Sequence, residues 1–508
     1  MEEEIGKQNL SKIAVKNSSY NLAHGLILKF GGLIFTILIA RLLLPELFGI
    51  YALALSIVTI FLTFTNLGVN ETFLRYVSDA LGKKDKNKAR GYLRYLLKIK
   101  TVFLVLVILI ILLFSKFLSY DIYNKPLLFY PLIFSCLFII AESFKNFIGQ
   151  LFLATKNLKP LPLLGLLHQT AKISFSILAI LILSLEFKVV GLFLALALAG
   201  FIHLFLYILV LYKKDKTLFI GKKESIDKKT INKYLKFMGI ASLSLVFFGS
   251  IDILMLGKFV ELSYLGYYRV ALSLIITIAS LFSLSGVLLP MFTQIDKKRF
   301  ERGFQKTFRY LMLIAIPATA GVLFIGKYLI FTIYGKEYLL AVSSLYFLSI
   351  LIITMPLIAL YTIIFQSKEK PKILAKSVFI TLIINVILNY VLIKYLLQFS
   401  QEYAIMGAGI ATVASRLILL GILVVSTKNK FNLSVRGIDI RKPIFATLVM
   451  ALFLLAFNSL VNINLFFGIL EIILGAGIYF GTLILIKGVG KEDWELFRGL
   501  IKRKKFNS

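Results

Sequence analysis

The sequence predicts an all-α, polytopic membrane protein of about fourteen transmembrane helices: two pseudo-symmetric six-helix lobes around a central cavity, plus two extra C-terminal helices. Three observations carry that expectation. Hydrophobic residues make up 59% of the 508 positions and charged residues 16%, whereas soluble domains carry about a quarter charged. The charges gather between apolar runs long enough, at roughly 20 residues, to cross a bilayer. Finally, Arg41–Ser56 (RLLLPELFGIYALALS) recurs without a gap at Lys258–Ser273 (KFVELSYLGYYRVALS). Gly49 then lies over Gly266, Tyr51 over Tyr268, and Ala54-Leu55-Ser56 over Ala271-Leu272-Ser273. A spacing of 217 residues is too long for a solenoid and suits a duplicated half of a membrane protein.

Residues 1–17 (MEEEIGKQNLSKIAVKN) are polar and lack the apolar core and cleavage site of a signal peptide, so they read as a cytoplasmic tail. Six spans then fill the first lobe, 18–212: Ser18–Leu44, Leu47–Asn70, Thr101–Ser119, Leu127–Ala154, Leu161–Leu185 and Val189–Tyr212. Lys213–Lys236 reads as a cytoplasmic inter-lobe linker. The second lobe, 237–427, takes Phe237–Gly257, Leu265–Pro290, Tyr310–Thr332, Leu339–Gln366, Ser377–Leu397 and Ala404–Thr427. Pro443–Val461 and Leu465–Ile486 are the two extra helices (443–486), and 487–508 is a basic cytoplasmic tail. An even number of spans per lobe gives both lobes the same sense, and such repeats place a substrate path between them near the midplane.

A formal charge of +33 invites a nucleic-acid reading, but its distribution opposes it. Most of the basic residues fall in the N-terminal tail, the alternate loops and the C-terminal tail, the pattern of cytoplasmic loops. Lys83–Lys100, Lys213–Lys236, Lys297–Arg309 and Lys487–Lys505 are the richest. Both termini are therefore expected in the cytoplasm of a cell-membrane protein. The single cysteine, Cys136, excludes a disulfide framework. The three histidines have no ligand-pair spacing, so neither metal nor cofactor is expected. The opposite loops (Tyr120–Pro126, Glu186–Lys188, Asn462–Asn464) are too short to hold a catalytic domain.

Family motifs appear at both ends of the duplication. Ala40-Arg41-Leu42, Pro45, Phe48-Gly49 and Tyr51, followed by Asn66-Leu67-Gly68 and Arg75, resemble the start of polysaccharide exporters of the multidrug/oligosaccharidyl-lipid/polysaccharide superfamily. Asn385-x-x-x-Asn389-x-x-Leu392-Ile393, then Gly407-Ala408-Gly409-Ile410-Ala411-Thr412 and Ser415, are similar to that superfamily's helix eleven–twelve signature. The usual proline after the Leu-Ile pair is Lys394 here, and the loop before Gly407 is longer than typical. The resemblance implies two lobes around a V-shaped cavity that opens alternately to each side. Its implied cargo is a polyprenyl-phosphate- or pyrophosphate-linked oligosaccharide, moved from the cytoplasmic to the outer leaflet by a monomeric unit with no enzymatic step.

Ionisable residues within spans cost at least roughly 2.5–3.5 kcal/mol and usually face a cavity or a partner. By helical rise, Lys29, Lys145 and Lys172 lie roughly 13–16 Å from one face, with Glu142 one turn from Lys145. The first lobe could thus present three cations and one anion to a phosphate, or Glu142 could neutralise a lysine as packing. In the second lobe Asp252 and Arg269 lie at similar depth and could pair. Arg269 replaces Ala52 of the first repeat, and lipid II flippases of the same superfamily carry a cavity arginine on helix eight that it resembles. Arg416 is a further cavity candidate. Asn385 and Asn389 share a helix face, either as interhelical glue or as contacts to sugar hydroxyls. Glu71 and Arg75 read as a local i,i+4 pair, and Glu471 as interfacial or facing a lipid groove. Two other functions compete with the flippase reading. A cation-coupled multidrug antiporter would need cavity carboxylates, which the intramembrane bases outnumber. A polymerase or transferase would need long outer loops.

Overall fold

Among the described residues every regular element is helical. The computed structural model describes residues 2–221, 224–282, 297–368, 370–433, 439–460 and 465–490. Residues 283–290 of the expected eighth span, the outer loop at 462–464 and 491–508 of the basic tail lie outside the described residues. The helices are α1 (Glu2–Asn66), α2 (Val69–Gly82), α3 (Lys86–Lys116), α4 (Phe129–Ala154), α5 (Leu161–Ile182), α6 (Lys188–Lys214) and α7 (Lys228–Phe259). They continue as α8 (Leu262–Leu281), α9 (Lys297–Tyr334), α10 (Ala341–Leu348), α11 (Leu351–Ser367), α12 (Pro371–Leu397), α13 (Gln401–Phe431), α14 (Arg441–Leu460) and α15 (Leu465–Leu485). Eleven of these segments are long and apolar enough to span a membrane, or up to twelve counting the bent α10–α11 pair as one. The expected fourteen is not reached on that measure. It takes α1 together with α2 as one segment, although Leu44 (φ 62°, ψ 171°), ahead of Pro45, breaks α1 in two.

Several helices run beyond the apolar runs that announce them. α1 starts at Glu2, inside the expected tail, α3 at Lys86 rather than Thr101, α7 at Lys228 rather than Phe237, and α9 at Lys297 rather than Tyr310. Hydropathy marks only the part of a helix that meets lipid, while Lys and Arg are good helix formers in water. The extensions have their own start signals: Asp85 accepts the Lys88 N–H at 2.8 Å and Asp227 those of Lys229 and Thr230 at 3.0 and 3.2 Å. The expected span Leu339–Gln366 is broken between α10 and α11 with a 40° bend. Ser349, at the break, donates to the Tyr346 carbonyl, a local bond that competes with the helix ladder. Nor do Glu71 and Arg75 pair. Glu71 accepts from Asn66, while the Arg75 guanidinium lies 4.5 Å from the Tyr234 ring centroid.

α1–α6 pack together as the first lobe and α7–α13 as the second, with α9 against α10 and α11, and α14 joins α15 against α9. The lobes meet along α1 and α8, at the duplicated stretch itself. A Cβ on Gly49 would lie 1.9 Å from the Leu262 carbonyl oxygen, and one on Gly266 would lie 2.2 Å from that of Pro45. Pro45 and Leu262 are themselves repeat partners, so each hairpin seats its glycine against the other's turn. The cations that open the two repeats behave alike. Arg41 donates to the Ile333 and Thr332 carbonyls at the end of α9, and Lys258 donates to the Ile122 carbonyl just beyond α3. Each therefore caps a helix of the opposite lobe, where the dipole favours a positive charge. Tyr338 closes the seam by donating to the Ala40 carbonyl at 2.7 Å. At the far end of α1, Gly68 (φ +82°) makes a turn whose missing Cβ would sit 2.5 Å from Met238 of α7.

The start of the linker is fastened to α3. Buried Arg90 donates to the Thr217 and Ile220 carbonyls at 2.9 and 2.7 Å and to Asn87. Lys86 reaches Asp215 at 2.7 Å, and that contact, with Thr217, holds the Asp215 carboxyl below the usual carboxylate range. Arg90→Ala leaves two carbonyls without their donor, at a cost of about 1–3 kcal/mol. Trypsin cleavage after Lys216 is therefore expected to quicken by roughly tenfold or more. Unchanged cleavage would show that Arg90 does not hold the linker.

Candidate functional site

A cavity of about 560 Å³ opens in the first lobe, walled by α1, α4, α5 and α6, with Arg269 of α8 also in its lining. Sequence periodicity explains why these side chains converge. Phe35 and His24 of α1, Glu142 and Lys145 of α4, His168 and Lys172 of α5, and His203 and Tyr207 of α6 each lie three, four or eleven residues apart on one face of their helix.

Lys145 is taken up by Glu142, its Nζ 2.6 Å from the carboxylate. Lys172 stands over the Phe35 ring, 4.2 Å from its centroid, and among the described residues no carboxylate is paired with it. Arg269 reaches the same space from the other lobe, near the Tyr51 hydroxyl, and makes no ion pair among the described residues. The possible Asp252–Arg269 pair does not form, and Asp252 bonds elsewhere. Neighbouring helical residues point about 100° apart, so Tyr268 faces Asp252 while Arg269 turns towards the cavity. Lys29 does not line the cavity. It crosses the lobe seam and donates to the Ser280 carbonyl at 2.7 Å.

The second lobe holds a buried polar cluster instead. Asp252 is 4% exposed and accepts from the Tyr268 hydroxyl at 2.5 Å, the Thr412 hydroxyl at 3.3 Å and the Ile253 N–H at 3.0 Å. Arg416 lies within electrostatic reach of that carboxylate. Asn385 donates to Ser415 of α13 at 3.1 Å, and Asn389 to the Asn385 carbonyl. In this conformation Asn385 ties α12 to α13, Asn389 bonds within its own helix, and neither lines the first-lobe cavity. Beyond α9, a second, apolar cleft of about 340 Å³ runs between α9, α14 and α15, with Glu471 in its wall.

Sequence reasoning missed the histidines. All three, His24, His168 and His203, line the first-lobe cavity. The rings of His168 and His203 stack at 4.5 Å, and Tyr207 meets His203 edge-on at 4.2 Å. Ligand-pair spacing could not reveal them because they come from three helices. The depth estimate used for the lysines would have done so, since by the expected span bounds each lies roughly 9–14 Å from the same membrane face. Among the described residues no group of three or more His, Cys, Asp or Glu is arranged to hold a metal ion.

Solved structures share this two-lobed helical bundle. A lipid II flippase, MurJ, in an inward closed conformation aligns with a TM-score of 0.69 at 15% identity, covering 92% of this chain and 99% of that one. A multidrug resistance MATE transporter in an outward-facing conformation aligns with a TM-score of 0.59 at 15% identity, covering 83% of this chain and 96% of that one. The family model described as "Polysaccharide biosynthesis protein" matches residues 14–296, and the chain belongs to that family. A curated relative, "Probable low-salt glycan biosynthesis flippase Agl15" of Haloferax volcanii, is 25% identical over 273 residues, 52% of this chain. The match spans about half, 54%, of that relative's length.

Proposed function

We propose that this protein is a flippase for a lipid-linked oligosaccharide, carrying a polyprenyl-phosphate or -pyrophosphate head group across the cell membrane by alternating access. Both termini would lie in the cytoplasm, one chain would form the transport unit, and no covalent chemistry would be involved. The observation that carries this reading is the placement of Lys172 and Arg269, one from each lobe, in a single cavity with no carboxylate paired to either among the described residues. A head group of sugars and phosphate cannot enter hydrocarbon unaided, and cations in a site of low dielectric hold an oxyanion strongly. A cargo bound by residues from both lobes is also released when the lobes part. The apolar cleft beside α14 and α15 offers the prenyl tail a path that stays in lipid.

Lys172→Ala and Arg269→Ala are each expected to reduce surface glycan at least about tenfold, the equivalent of one charge-assisted contact. Lys145→Ala should do less, because Glu142 already neutralises that lysine. Glycan would be labelled on cells carrying each variant as the sole copy, with protein levels matched by blotting. Normal export from both the Lys172 and Arg269 variants would refute the reading.

A further inference from the structure

The cavity is chemically divided along its length. Positions on the helices put the cations at one end: Lys172 lies one turn beyond His168 on α5, and Arg269 enters from α8. Towards the Ala154–Leu161 turn the wall changes to amides and imidazoles, Asn21 and His24 on α1, Asn146 and Gln150 on α4, His168 on α5 and His203 on α6. The nearest ion pair, Lys145–Glu142, cancels itself. We infer that this amide-and-imidazole end is a subsite for the uncharged, hydroxyl-bearing sugar of the cargo, separate from the oxyanion-binding end; the inference rests on the flippase reading above.

Hydrogen-bonding capacity supports that division. An amide, or an imidazole in its neutral form, both gives and accepts hydrogen bonds, as a sugar hydroxyl does. A phosphate only accepts, so it is poorly matched to acceptor groups and well matched to Lys172 and Arg269. Local packing does not explain why these rings are polar. Among the described residues Nδ1 of His24 and His168 and both ring nitrogens of His203 have no hydrogen-bond partner, so phenylalanine would fill the same volume without that cost. His203 and Tyr207 are 3% and 6% exposed, so the stack is held firmly as a wall. Flat rings of this kind also suit the C–H face of a pyranose.

The test uses the purified full chain in nanodiscs and two kinds of probe: farnesyl pyrophosphate, and the same molecule carrying one neutral sugar from a panel of glucose, galactose, mannose and N-acetylglucosamine. At least one sugar should tighten binding by about tenfold. The Asn146→Ala/Gln150→Ala double variant, whose side chains only border the cavity, should remove that gain and leave the bare pyrophosphate within about twofold. His168→Phe, which keeps the stack, should do the same. Lys172→Ala should weaken both probes by a common factor. A panel with no sugar that tightens binding would overturn the inference, as would variants that weaken the bare pyrophosphate equally. Farnesyl pyrophosphate binding no tighter than farnesol would instead overturn the flippase reading, and this inference with it.

Discussion

Gly49→Ala and Gly266→Ala are each expected to abolish export while leaving the protein folded and in the membrane. The added methyl group would meet backbone, not a movable side chain: the Leu262 carbonyl at 1.9 Å in one case and the Pro45 carbonyl at 2.2 Å in the other. Something must shift, and overpacking of this kind costs about 1–3 kcal/mol. Because the contact joins the lobes, that cost falls on the state in which this seam is shut. A penalty of 1–3 kcal/mol changes the ratio of two conformations by about 5- to 150-fold. In the proposed orientation the seam faces outside, so both variants should favour an outward-open cavity. A Thr36→Cys reporter in a Cys136→Ala background would show this as faster labelling by an impermeant maleimide applied from outside. Wild-type labelling together with normal export would show that the paired glycines are packing without consequence. Because the contact is reciprocal, either substitution alone should act, and combining them should add less than the sum.

The residues of that seam are legible in the sequence, though not their role as a seam. The ungapped match from Arg41 and Lys258 onward identifies a duplication, and the structure shows the matched residues pressed against each other across the lobes. Helix positions within the bilayer are equally legible, because twenty apolar residues have few other uses. Their aqueous extensions are not, because a lysine-rich helix and a lysine-rich loop have the same hydropathy. Direction is harder still. Depth along a helix follows from counting, which puts Lys145, Lys172 and Arg269 near the cavity level. Azimuth depends on which neighbour each face meets, and Lys29 turns to Ser280 of α8 while Asp252 finds Tyr268 instead of Arg269. The histidines escape notice because a motif search looks along one helix, and this cluster is assembled from three.

Removing the Asp252 carboxylate is the substitution expected to cost most stability. Its counterpart 217 residues earlier is Phe35, which packs edge-on to Tyr51, with ring centroids 6.5 Å apart, and carries Lys172 above it. Asp252 meets Tyr268, the repeat partner of Tyr51, at 2.5 Å. One position has thus become an aromatic floor under a cavity lysine in one lobe and a buried acid in the other. Asp252 joins α7 to α8 through Tyr268 and to α13 through Thr412. Asp252→Ala strands both hydroxyls and leaves Arg416 without that neighbouring charge, which should cost about 3–5 kcal/mol. The expected readout is a thermal midpoint lowered by roughly 3–5 °C in detergent. Asp252→Asn retains the volume and one acceptor and should recover most of the loss, and Tyr268→Phe should do little further harm once Asp252 is alanine. The same variants distinguish scaffold from transport role. If Asp252→Asn keeps its thermal midpoint but loses export, the negative charge itself is used during the transport cycle; if it keeps both, the acid's work is to hold α7, α8 and α13 together while the first lobe carries the cargo.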